Sequence, residues 1–250
     1  MPLLNICLAV AILYQITTPQ MSNLIVTTTI ASLFSPKGLD DPSDINQIRQ
    51  QVKSNKPLVI VPGINLNISG KEIENLSPRQ TRLLIAGKLT ANLYKQGSEG
   101  IANMADNIEM QKKIIEGFKF FNFFTEKSHK ILFQILLWSG IFSILLFSAY
   151  IWITFKLGKF LTPGVTLIET ALLPWILAYL YIPLAGNPIP LGGDNPIITG
   201  ISNSLSQILP PIAQIIEFTY RVVLIAGGIA TALSLFGIIL WKIMQKRTRG

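Results

Sequence analysis

VVLIAGGIATALSLFGIILW, residues 222–241, contains no formal charge over twenty residues, and Lys242, Lys246, Arg247 and Arg249 follow it. At about 1.5 Å of rise per residue such a helix covers a ~30 Å hydrocarbon core, and basic residues beside a span mark its cytoplasmic end. The stretch predicts a transmembrane helix ending in a cytoplasmic basic anchor. Ala226, Ala230 and Ser234 recur every four residues, and Gly228 with Ala232 repeats that spacing beside them. These five small residues predict a face where another helix approaches closely.

Working outward, two further stretches read the same way. Residues 131–155, ILFQILLWSGIFSILLFSAYIWITF, are uncharged and flanked by Lys127, Lys130, Lys156 and Lys159. Residues 164–186, GVTLIETALLPWILAYLYIPLAG, form a second span, with Pro163 in the first turn and Pro183 as a stop. Pro174 lies near its middle and predicts a kink, because its missing N–H leaves the Thr170 carbonyl without its helical donor. The whole chain agrees: 50% of its residues are hydrophobic and 14% charged, with mean hydropathy +0.47. The expected fold class is a mainly α integral membrane protein with three transmembrane helices, and a fourth segment at the N-terminus as an open alternative.

The charge of +8 divides as +4 over 37–130, −1 over 131–220 and +5 over 221–250. Its largest surplus stands beside a span, where topology and anionic headgroups account for it. No zinc-finger spacing or basic recognition helix points to nucleic acid. The 187–220 connection has no Lys or Arg, so the basic residues place it outside, the Lys156/Lys159 turn inside, residues 35–130 outside and the C-terminus in the cytoplasm.

An external 35–130 region needs an export signal, and residues 1–34 offer one. Leu3–Ile16 has the length of a signal-peptide h-region, but the first basic residue is Lys37, so the n-region fits poorly. The alternative is a retained anchor, continued by Asn23–Phe34 beyond Pro19, giving four spans with both termini inside. Cys7 is the only cysteine, so no intrachain disulfide forms.

The 35–130 region reads as a small α/β or α-rich domain. SDINQIRQQVKS (43–54) predicts a short helix capped by Ser43 or Asp41, and PLVIVPG (57–63) with INLNIS (64–69) predicts two short strands. Ser77, Pro78 and Gln80 form a capping-box pattern opening a helix over 78–96. Ile85, Ala86, Leu89 and Leu93 are its apolar stripe, and Arg79, Arg82, Lys88 and Lys95 its polar face. From Glu99 to Lys130, Ile101, Met104, Ile108, Ile115 and Phe118 predict a long amphipathic helix feeding the first span. Such a stripe is a packing surface or a short coiled coil, and Phe118–Phe124 suits the headgroup zone.

Proline and glycine crowd 183–200, excluding a helix there, and Ile201, Leu205, Ile208 and Leu209 share a face before Pro210–Pro211 interrupts. This connection is either an interfacial segment or a re-entrant one lining a cavity.

Chemistry is sparse. Glu169 is the one charge inside the three spans, placed five residues past Gly164 where its carboxylate reaches the interface or serves an intramembrane site. Asp194 in GGDNP is a turn residue or a cation ligand without companion carboxylates. Glu217 and Arg221 read as a surface pair four residues apart, and His129 has no partner motif. No nucleophile, phosphate-loop or dinucleotide pattern occurs, so neither a catalytic residue nor a metal or cofactor site is assigned. The expectation is a non-enzymatic membrane subunit whose partners are the lipid bilayer and other membrane-protein subunits or itself, with no nucleic acid and no identifiable small-molecule substrate. The alternative is a channel or transporter component using Glu169, Pro174 and the 187–210 loop.

Overall fold

The computed structural model describes residues 2–35, 38–43, 45–53, 58–59, 64–154, 160–185 and 196–248. The chain is mostly helical and divides into two units. One comprises 1–14, 132–184 and 212–250; the other, the polar unit, comprises 15–131 and 185–211.

The polar unit is built around a helix that the sequence suggested for a membrane. Helix α1 spans Pro2–Ile16 and α2 spans Pro19–Leu33. They are bent by 69° at the break between them, where Pro19 starts the second helix and cannot donate back into the first. By length and composition the bent pair passes as one broken fourth span, and within the polar unit α2 buries Ile25, Val26, Ile30 and Ala31 together with Ser22, Thr27, Thr28 and Ser32. It packs chiefly against α5, Pro78–Thr90. The contact is polar as well as apolar, for Thr27 Oγ1 lies 3.2 Å from Thr90 Oγ1 and Thr90 Oγ1 donates to the Ala86 carbonyl at 2.9 Å.

Between these helices come α3 (Ile45–Lys53), β1 (Leu58–Val59), β2 (Asn65–Leu66) and α4 (Gly70–Ile73). Of the two expected strands, residues 57 and 60–63 lie outside the described residues; the described part is a two-residue antiparallel pairing, Leu58 with Leu66 and Val59 with Asn65, in a unit that is otherwise α-rich among its described residues. Asp41 accepts from the Ser43 N–H and hydroxyl ahead of α3. At α5 the capping box is complete: the Ser77 hydroxyl accepts from the Gln80 N–H at 3.2 Å, and Gln80 Oε1 accepts from the Ser77 N–H at 2.9 Å. Lys88 donates to Glu72 at 2.6 Å. That bond, with the Ser69 N–H, holds the Glu72 carboxyl below its ordinary value, so the pair persists at neutral pH and is lost as pH falls through the lowered value.

Two expected helices are broken. The 78–96 helix stops at Thr90 and resumes as α6, Leu93–Gln96. A turn at 91–92 intervenes, and the Asn92 backbone lies so close to Gly100 that a Cβ there would meet the Asn92 oxygen at 2.7 Å. The 99–130 helix is replaced by α7 (Ser98–Ala102), α8 (Ile108–Phe118), a 3-10 segment (Lys119–Phe124) and the start of α9 (Glu126–Thr154). Ala105 forms an antiparallel bridge with Ile64, which requires extended backbone, and Asn107 then caps α8 by accepting from the Met110 N–H at 2.7 Å. The stripe is thereby divided: Ile101 is fully buried, Ile108 is exposed, and Ile114 is the buried residue of α8. An 11-residue α8 is too short for the coiled coil.

Gly97 has φ +65°, and a Cβ there would meet Asn122 Oδ1 at 2.6 Å, the atom that accepts the Ser98 N–H at 2.7 Å. Gly97→Ala is expected to destabilise the protein by about 2 kcal/mol, combining backbone strain with displacement of Asn122. Thermal unfolding of the two proteins in detergent checks this.

Helical stretches Ile108–Tyr150, Leu161–Pro183 and Ser204–Gln245 are long and apolar enough to cross a membrane. The expected 131–155 span lies on α9, with Phe155 outside the described residues. The 164–186 span is α10, Leu161–Ala185, which runs on through Pro174 and Pro183, so Pro183 is no stop. The 222–241 span is the apolar part of α11, Pro196–Thr248. That helix also corrects two expectations, because it begins at Pro196 inside the proline-rich connection and passes through Pro210 and Pro211. Proline's fixed φ suits a helix, and the missing N–H groups of Pro210 and Pro211 remove the helical bonds to the Ser206 and Gln207 carbonyls. Residues 186–195, and with them most of the choice between an interfacial and a re-entrant connection, lie outside the described residues, as does the Lys156/Lys159 turn.

Candidate functional site, a buried carboxylate between two membrane-type helices

Helices α10 and α11 touch along a seam where Gly164 meets Gly227 and Thr231 and where Trp175 meets Glu217. On α10, Gly164, Ala171 and Ala178 are buried seven residues apart. On α11, Ala213, Glu217, Gly227 and Ser234 are buried, Glu217 and Gly227 against α10. The closest approach is at the glycines. A Cβ on Gly227 would meet the Gly164 oxygen at 2.9 Å and Leu167 Cβ and Ile168 Cγ1 at 3.0 Å, whereas one on Gly164 would collide with Thr231 Oγ1 and its backbone nitrogen.

Within the chain this seam does not use the expected packing face, whose contact with another chain is a separate matter. Of Ala226, Gly228, Ala230, Ala232 and Ser234, only Ser234 is buried; Ala226, Gly228 and Ala232 are exposed and Ala230 is half-buried. Nothing lies within 4 Å of a Cβ built on Gly228. The small-residue spacing is real, but the intrachain contact uses Gly227 in place of its neighbours on either side. The overlooked signal was the seven-residue repeat of Gly164, Ala171 and Ala178 on the partner helix.

Glu217 stands in this seam and is 5% exposed. Its Oε1 accepts the Trp175 indole N–H at 2.8 Å from α10 and the Arg221 Nε–H at 2.8 Å from one turn along α11, and forms an ion pair with Arg221 Nη2 at 2.6 Å. Trp175 in turn stacks on Tyr179, their centroids 5.7 Å apart. The expected Glu217–Arg221 pair is present, but it is not a surface pair: the carboxylate is enclosed, and the arginine side chain remains half-exposed. A buried carboxylate held by an indole N–H and a guanidinium is stabilised by both, and removing either donor is costly. Chemically, the arrangement ties two helices together.

The other candidates do not converge on it. Glu169 is exposed on α10, and Pro174 lies within α10 with no polar side chain of its own. Asp194 lies outside the described residues. Lys242 is exposed near the end of α11; Lys246 and Arg247 lie in its last turns, and Arg249 is outside the described residues. His129 gains a partner that the sequence did not reveal, its Nδ1 lying 3.1 Å from the buried Thr17 Oγ1. Among the described residues no three His, Cys, Asp or Glu side chains cluster as a metal site would require. No family model, curated protein or solved structure matches the chain.

Proposed function

We propose that the chain is a non-enzymatic integral membrane subunit that binds other membrane proteins or further copies of itself. The polar unit stands outside and the C-terminus in the cytoplasm. The observation that carries this reading is how the buried charge between two candidate membrane helices is used: Glu217 is spent on Trp175 and Arg221, holding helix to helix. Meanwhile the outward apolar surface of the three candidate spans is almost entirely uncovered, including the small residues Ala226, Gly228 and Ala232. That surface suits lipid and close-packing partner helices.

Two further contacts support the topology. Arg79 Nη2 donates to Gln207 Oε1 at 2.9 Å, which fits both segments lying on one side of the membrane. Cys7 Sγ lies 3.9 Å from Ser143 Oγ, and the Tyr14 and Phe133 rings are 5.9 Å apart, so α1 runs antiparallel along α9. Fifteen residues of α1 extend about 22 Å, short of a full core, which favours an anchor that reaches most of the way across.

The test is purification in mild detergent with and without cross-linking. The expected species is larger than a 27.7 kDa chain with its micelle, and Glu169→Gln leaves it intact. A lone monomer contradicts the subunit reading. Ion conductance by the reconstituted protein that Glu169→Gln abolishes favours the channel instead.

A further inference from the structure

A second polar group is buried in the polar unit, at a cavity. The space measures about 80 Å³ and lies among α2, α3 and α5, with Phe34, Ile48, Ile85 and Leu89 among its apolar walls. Arg82 and Ser35 line it too. Arg82 was expected on the polar face of α5, yet it is 6% exposed, because it precedes Ile85 and Ala86 by three and four residues and so shares their face.

Arg82 Nη1 donates to the Leu39 and Gly38 carbonyls at 2.6 and 3.2 Å. These bonds fix the guanidinium in place but bring no negative charge, and among the described residues no carboxylate pairs with it. Ser35 is 2% exposed and its hydroxyl has no partner among the described residues. A desolvated cation without an anion, beside an orphan hydroxyl and an apolar wall, is unfavourable unless something occupies the space.

We propose that this cavity binds a short-chain monocarboxylate, its carboxylate on Arg82 and Ser35 and its hydrocarbon tail against Phe34, Ile48, Ile85 and Leu89. A guanidinium's planar fork suits a carboxylate, and the one positive charge matches one negative charge; a phosphate dianion would be left half-neutralised. At ~12 Å³ of such volume per water-sized group, the space takes about six groups, meaning a carboxylate with three or four carbons behind it.

Calorimetric titration of the full chain in detergent with pentanoate, pentanol and pentylamine tests the assignment. Pentanoate is expected to bind saturably, with the alcohol and amine at least tenfold weaker. Arg82→Gln should weaken pentanoate at least tenfold and Ser35→Ala a few-fold. Because Arg82 also secures residues 38–39, Ala86→Leu provides a second variant: it fills the cavity, leaves the Arg82 bonds to carbonyls in place and should abolish binding. Equal binding of pentanol and pentanoate, wild-type binding by Ala86→Leu in a protein that melts normally, or no saturable binding below about 10 mM each overturns the proposal.

Discussion

Gly227→Leu is expected to separate α10 from α11, while Gly228→Leu one position along leaves them together. A Cβ on Gly227 already meets the Gly164 backbone oxygen at 2.9 Å, and a leucine adds three further carbons where Leu167 and Ile168 stand. Backbone cannot move aside as a flexible side chain does, so the helices must part, at a cost of about 3 kcal/mol. Gly228 has open space around it. Its substitution should leave folding unchanged, but weaken association if this face contacts another subunit. Unfolding by SDS titration reads the first effect and cross-linking the second. Equal destabilisation by both substitutions would remove the Gly164–Gly227 seam from the account.

The second large effect belongs to Glu217. Replacing it with alanine strips the Trp175 indole and the Arg221 guanidinium of their shared acceptor and opens a gap between the helices. About 2 kcal/mol of destabilisation is expected, most of it the penalty for an indole N–H left without a partner. Glu217→Gln keeps an acceptor oxygen for Trp175 and loses the ion pair, so it should cost less than alanine. Because the Arg221 side chain is half-exposed, its charge can turn toward water, which limits the loss. With Trp138, Trp152 and Trp241 replaced by phenylalanine, Trp175 fluorescence is a local readout, and it should change in both variants. If alanine and glutamine are both neutral, the buried carboxylate is not what ties these helices.

The apolar helices long enough to cross a membrane and the caps were legible because they are local. Uncharged runs of twenty or more residues, and Ser77 with Gln80 three residues later, state their structure within one stretch of chain. What the sequence hid depends on partners far along it. α2 is apolar and threonine-rich, and its packing against α5, with Thr27 meeting Thr90, is what places it in the core of the polar unit. The breaks at 91–92 and 103–107 arise where Gly100 presses on Asn92 and Ala105 pairs with Ile64.

The site was half legible for the same reason. The spacing of Glu217 and Arg221 gave their pairing, but burial came from Trp175, 42 residues earlier in the chain. A tryptophan in an apolar run reads as an interface residue, and its indole N–H declares a partner only in the fold. Arg82 was missed although its offset from Ile85 and Ala86 placed it on the apolar face, because arginine is ordinarily assigned to water.

The central claim, a membrane-inserted chain with the polar unit outside and the C-terminus inside, is tested most directly by labelling single cysteines. In a Cys7→Ser background, Glu99→Cys, Asp194→Cys and Lys242→Cys are treated in intact cells with a membrane-impermeant maleimide. The account predicts labelling at 99 and 194, and labelling at 242 only after the membrane is opened. Labelling at 242 in intact cells, or protection at 99, would contradict it.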